Sequence, residues 1–168
     1  MKILDTLLAE FDHETSVTRL LLQRAPEEKG AFRPHPRSRT LGELAIHLAN
    51  LPRWVAPVLK TTEFDLHPPD GPAPDFRPPY ESMASARAQF DRHVSDARAA
   101  LVGAIDAELL VAWTLKDGGR PLFTMPRLAA LRSFVLNHSV HHRGQLSVYL
   151  RLCEIPLPPM YGPTADTA

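Results

Sequence analysis

The sequence predicts an all-α fold: a four-helix bundle with a long Pro-rich connection and a short irregular or hairpin segment before the last helix. Three observations predict it. Apolar residues recur at three- and four-residue spacing in four separate segments, the pattern of helices that each bury one stripe. No long segment alternates apolar and polar residues as a half-buried strand would. Six prolines crowd residues 61–80, where neither flank is long enough for an independent core. A chain of 168 residues is the size of one domain and can bury about two-thirds of its unfolded surface. Residues 1–168 are therefore read as a single domain.

In the first helix Leu4, Leu7, Leu8, Phe11, Thr15, Thr18, Leu21 and Leu22 form one stripe, and Pro26 and Gly30 stop it. The second begins at Thr40-Leu41-Gly42-Glu43, a capping box in which the threonine caps and Glu43 reaches back to its amide. Leu44, His47, Leu48, Leu51, Val55 and Val58 continue one face, and Pro52 and Pro57 should kink or divide the segment. The Pro-rich stretch then reads as a stiff surface loop. The third helix runs from about Glu81 to Ile105, with Met83, Ala86, Phe90, Val94, Ala97, Leu101 and Ile105 as its stripe. Asp106 is placed to cap a short turn through Leu110. Trp113-Thr114-Leu115 and Leu122-Phe123 flank Asp117-Gly118-Gly119, a hairpin or Gly-rich turn. The fourth helix follows Thr124 as N-cap with Pro126 in its first turn. Its stripe is Leu131, Val135, His138, His142, Gln145, Tyr149 and Cys153, and it ends before Ile155-Pro156.

Lys plus Arg and Asp plus Glu balance at 19 each, which argues against a nucleic-acid surface as the main business of the chain. With 44% hydrophobic and 23% charged residues, no basic-then-apolar leader and no apolar run near 18 residues, the chain reads as soluble and cytoplasmic. The lone Cys153 permits neither a disulfide framework nor a Cys-based zinc motif, and late in an amphipathic helix it reads as a small buried hydrophobe.

The eight histidines separate by placement. Residues four apart share a helix face, about 6 Å apart along the axis. On a wheel of about 100° per residue with His138 at zero, His142 lies about 40° away, and Leu131 and Tyr149 about 20°. His141 falls about 60° to the opposite side, at the edge of the stripe. His138 and His142 can thus aim two imidazoles at one point on the inward face. That pattern fits a metal site, and it also fits core histidines that only hydrogen-bond to neighbours. His47, in the buried stripe of the second helix, needs a partner because burying an unsatisfied ring is costly. A third metal ligand would satisfy it, as would a bond to a carbonyl or buried acid. His13, His35, His67 and His93 read as surface residues. Gly144 inside a helix marks close approach or room for a ligand, Gln145 is placed to orient a water or substrate or to bond between helices, and Arg143 reads as a surface or interface charge.

With these residues in view, the chain resembles the DinB/YfiT-like superfamily, unrelated to the DNA polymerase that shares the name. The resemblance rests on Gly42-Glu43-Leu44-Ala45-Ile46-His47-Leu48, on His138-Ser-Val-His-His142-Arg-Gly-Gln-Leu146, on Tyr149-Leu150-Arg151 and on Pro159-Met160-Tyr161-Gly162-Pro163. It implies a four-helix bundle with a divalent metal, typically zinc or nickel, held by His47, His138 and His142. His141 then corresponds to an extra histidine that is not a ligand. It also implies a homodimer, and activities like those of thiol-dependent S-transferases, including bacillithiol transferases, or mycothiol-dependent isomerases.

Three His ligands leave a coordination position open, as in catalytic zinc sites. Water could ionise there and attack an electrophile, or a thiol could bind, ionise and become the nucleophile. With no catalytic cysteine evident, a thiol reaction would import its sulfur from a low-molecular-weight cofactor such as bacillithiol. The expected function is therefore a metal-dependent thiol S-transferase or hydrolase acting on a small molecule. The alternative is a non-catalytic metal-binding or stress-response bundle protein. No general base is identifiable, and Tyr161 and Gln145 are candidates for the pocket wall.

Overall fold

The leucine and threonine spacing of the first segment builds α1 (Ile3–Arg24), which buries Leu7, Phe11, Thr15, Thr18, Leu21 and Leu22. This computed structural model describes residues 2–76 and 78–167; the ends of the expected 1–168 domain lie outside them. The two threonines donate their hydroxyls to the carbonyls of Phe11 and Glu14 at 2.8 and 2.9 Å, so the buried face carries no unpaired oxygen there. The start of α1 is capped from far away. Asp106 accepts the amides of Ile3 and Leu4 at 3.0 and 2.9 Å across 103 and 102 residues. Asp106, expected to cap its own short helix, α5 (Asp106–Leu109), is instead that helix's first residue.

Thr40 and Glu43 form the expected capping box at the start of α2 (Leu41–Asn50), with the reciprocal bonds 3.1 and 2.7 Å long. A tight turn over Leu51–Trp54, carrying Pro52, divides α2 from α3 (Val55–Lys60), as the prolines require. Ser82 accepts the Ser85 amide to open α4 (Met83–Val102), whose stripe from Met83 to Leu101 is buried. Ile105 lies past its end and is 61% exposed. The last helical stretch consists of α6 (Arg127–Leu131), a π-helical turn (Arg132–Asn137) and α7 (His138–Leu152). Both α1 and α2 pack against α4 and against α7, around a core that includes Phe11, Leu44, Leu48, Phe90, Leu101, Leu146 and Leu150.

The all-α expectation needs correction, because a three-stranded sheet joins the helices. Strands β1 (Glu63–Asp65), β2 (Ala112–Asp117) and β3 (Arg120–Pro126) lie in that order. The β2–β3 hairpin matches one of the two sequence readings, with Asp117 opposite Arg120. Gly118 and Gly119, at φ of 60° and 77°, supply the two positive dihedrals of its turn. The Pro-rich connection is not only a loop, for it contributes β1, parallel to β2, with Phe64 opposite Leu115. Asp65 ties this strand to the hairpin by accepting the Gly118 and Gly119 amides at 3.0 and 2.6 Å. A three-residue strand is too short to show alternation, and its partner lies about fifty residues away. Thr124, read as the N-cap of the last helix, sits on β3, where its hydroxyl meets that of Thr114 at 2.8 Å. No helix among the described residues is long and apolar enough to cross a membrane.

Candidate metal centre

Two helices bring three imidazoles together. His47 stands on α2 between the buried residues Ala45, Ile46 and Leu48, while His138 and His142 occupy the first two turns of α7. The Nε2 atoms of His47 and His138 are 3.3 Å apart. Ring centroids of His47 lie 5.1 Å from His138 and 4.5 Å from His142, and the latter two are 4.7 Å apart. One nitrogen from each ring falls within 4.8 Å of the others, a spacing that a single ion could bridge.

The π turn decides where α7 points its histidines. With uninterrupted α-helix, Leu131 would lie about 20° from His138 on the wheel. A π turn accommodates one extra residue, which sets the downstream wheel back by about 100° and moves Leu131 to about 120°. There it aligns with Arg143, Leu146 and Leu150, at about 140°, 80° and 120°, and these form the deep face of α7. His138 and His142 therefore stand on the flank of the core rather than at its centre, and both are half-buried. Gln145, expected inward, is exposed for the same reason.

Burial favours the neutral form of the two α7 rings, and hydrogen bonds orient them. Burial pushes the His142 imidazole down to about 4. The neighbouring His138, His141 and Arg39 add to that, against an opposing bond to Gln145. Burial also lowers His138, helped by His141 and Arg39 and opposed by its bond to the Phe134 carbonyl. Neutral imidazole offers a lone pair to a cation, whereas imidazolium does not. The His142 Nδ1 lies 2.7 Å from the Gln145 Oε1, so that nitrogen carries the proton and Nε2 is left as the acceptor. Gln145 thus holds His142 within one helix, neither bridging helices nor lining the neighbouring cavity.

The other singled-out residues divide clearly. His141 is exposed, with its ring 4.8 Å from that of His142, and is not one of the three convergent histidines. His13 is exposed, His35 accepts the Arg37 amide and His67 pairs with Asp117. His93 is not a surface residue: half-buried, it donates Nδ1–H to the Ala49 carbonyl at 2.8 Å and ties α4 to α2. Of the two readings of Arg143, a surface or an interface charge, the structure overturns the first. The residue is 1% exposed, donates to the Glu14 carbonyl at 2.9 Å, and pairs with the Glu14 carboxylate and the Tyr161 hydroxyl. Tyr161 in turn donates to Glu14 at 2.6 Å, so it fastens the C-terminal segment to α1 rather than walling the cavity. A Cβ at Gly144 would meet nothing within 4 Å, which rules out close approach there. Cys153 is half-buried, and burial raises its thiol.

Sequence reasoning missed the cavity beside His47. It has a volume of about 540 Å³ and is lined by Arg39, Glu43, His47, Asn50, Phe76 and Tyr80, among others. No local pattern pointed to it, since its walls come from the segment between α1 and α2, from one face of α2 and from the Pro-rich connection.

Comparison with known proteins agrees with this architecture. The profile of the DinB superfamily matches residues 10–146. The uncharacterised protein YrdA of Bacillus subtilis (strain 168) is 26% identical over 166 residues, 97% of this chain and 90% of that protein. A solved DinB-like protein from Bacillus cereus ATCC 10987 superposes with a TM-score of 0.71 at 26% identity, covering 95% of this chain and 98% of the other. The DinB-like protein YjoA of Bacillus subtilis shares the fold, with a TM-score of 0.70 at 19% identity over 94% and 97% of the two chains. The family match spans most of the chain and contains His47, His138 and His142; the protein belongs to the DinB superfamily.

Proposed function

We propose that His47, His138 and His142 hold a divalent metal ion, zinc or nickel. On this reading the protein is a metal-dependent enzyme that activates a thiol cofactor, as S-transferases do, or water, as hydrolases do. The observation that carries the reading is the convergence of three imidazole nitrogens within 4.8 Å of one another. The donor set fits: three imidazole nitrogens are the ligand count of catalytic rather than structural zinc sites. Ring orientation by Gln145 and by the Phe134 carbonyl matches the outer partners that metal-bound histidines use. A bound ion would supply Lewis acidity toward a thiol or a water. The chain's own residues orient the imidazoles and, through the π turn, place them at the core's flank. Cys153 is an unsuitable nucleophile with its thiol raised by burial, so a thiol reaction would use an external sulfur such as bacillithiol. The packing of α1, α2, α4 and α7 around one core supports reading the helical part as a four-helix bundle.

Elemental analysis of purified variants tests the centre. His47→Ala, His138→Ala and His142→Ala should each lose most of the bound metal, while His141→Ala retains most of it. Unchanged occupancy in all three of the first set would overturn the assignment. Screening metal-loaded protein against small thiols and electrophiles then separates the chemistries. Turnover that requires thiol supports the transferase, turnover with water alone supports the hydrolase, and neither, with unfolding on metal removal, would leave a stabilising role instead.

A further inference from the structure

The cavity beside His47 has one cationic and one anionic side chain on its wall, Arg39 and Glu43. Arg39 lines it and also lies close enough to His138 and His142 to act on both rings as a neighbouring cation. Among the described residues its guanidinium makes no hydrogen bond and no ion pair. The other charged group on the wall is already engaged: Glu43 accepts the Thr40 amide at 2.7 Å and faces Arg33 at 3.4 Å. The first-turn amide of Glu43 is taken by the Thr40 hydroxyl at 3.1 Å, so Arg39, not the helix terminus, is the free anion partner.

The backbone that carries Arg39 is anchored at its carbonyl and at the residue that follows. Tyr149 donates its hydroxyl to the Arg39 carbonyl at 3.2 Å, and the next residue, Thr40, is locked in the capping box. The remaining walls differ in kind. Phe76 and Tyr80 present rings, and Tyr80 is held by donating its hydroxyl to Glu27 at 2.9 Å. Asn50, 3% exposed, spends one amide proton on the Ile46 carbonyl at 2.7 Å and keeps a second. A volume of about 540 Å³ falls inside the range of small-molecule sites.

We propose that this chamber binds a small organic oxyanion, a carboxylate or phosphate ester, with its anionic group on Arg39 and an apolar body against Phe76 and Tyr80. The rest of the molecule then extends toward His47. That orientation rests on the metal-centre reading above, whereas anion capture by Arg39 does not. A guanidinium presents its donors as a planar fork that matches both oxyanions, and fixing its backbone in advance lowers the ordering cost of binding.

Calorimetric titration of the full chain with benzoate, phenyl phosphate and the uncharged benzamide tests the proposal. Benzoate or phenyl phosphate should bind measurably tighter than benzamide, and the tighter of the two identifies the oxyanion. Arg39→Ala should weaken that anion by about tenfold or more, with Arg39→Lys recovering part of the loss, and with metal content unchanged. Equal binding of benzamide and both anions, or equal anion affinity in wild type and Arg39→Ala, would overturn it. His47→Ala separates the two readings. Unchanged metal content in His47→Ala, with anion binding still dependent on Arg39, counts against the metal centre and supports the chamber.

Discussion

Arg143→Ala should be among the most damaging single substitutions in this protein, although the residue adjoins His142 and touches none of the three convergent imidazoles. Its side chain is 2% exposed and its partner, the Glu14 carboxylate, 12%. The guanidinium also bonds the Glu14 carbonyl at 2.9 Å and the Thr18 hydroxyl at 3.4 Å. Truncation leaves a nearly buried carboxylate whose one remaining donor among the described residues is the Tyr161 hydroxyl at 2.6 Å, and it removes a packed aliphatic stem. Breaking a buried pair from one side costs about 3–5 kcal/mol. Water still reaches the Glu14 end, so the lower value, about 3 kcal/mol, applies here. For a domain of this size that lowers Tm by about 6–12 °C. The assay is thermal and urea unfolding of Arg143→Ala, Glu14→Gln and the double variant. The double variant should be less destabilised than the sum of the singles, because the second change removes the orphaned charge. A Tm shift below about 2 °C for Arg143→Ala, or strict additivity, would refute the argument.

Two glycines should respond with opposite sign to alanine. A Cβ at Gly42 would stand 2.6 Å from two carbons of the Tyr80 ring, which is anchored to Glu27, so Gly42→Ala should cost about 1–3 kcal/mol in urea unfolding. Gly144→Ala, with nothing within 4 Å, should stabilise α7 by about 0.5–1 kcal/mol, and a loss there would point to an unseen neighbour. Acid should weaken the Glu14 link. Burial alone would raise this carboxyl, but the bonds from Tyr161 and Arg143 and the Arg143 charge outweigh it and hold it below its ordinary 4.5. The stabilisation is complete above that value and is lost as pH falls through the lower folded-state value, since the unfolded chain takes up the proton first. Glu14→Gln should therefore flatten the stability profile below about pH 4.5, measured by urea midpoint against pH; an unchanged acid limb counts against the link.

The amino-acid order alone determined the helical segments, the capping box of Thr40 and Glu43, the break at Pro52 and the turn at Gly118-Gly119. Each depends on interactions within a turn or two of chain, and periodicity records those directly. It also singled out His47, His138 and His142 as polar groups on the inward apolar stripes. The tertiary structure decided how these combine. Phe64 became a strand residue only because Leu115 lies beside it, and Asp106 became a cap for α1 only through chain closure. A one-residue insertion at Arg132–Asn137 turned the histidines off the core axis and sent Arg143 inward, which a uniform 100° wheel does not represent. The cavity with Arg39 on its wall belongs to no single segment. Local spacing states which side chains share a face, but only packing between distant segments determines what that face meets.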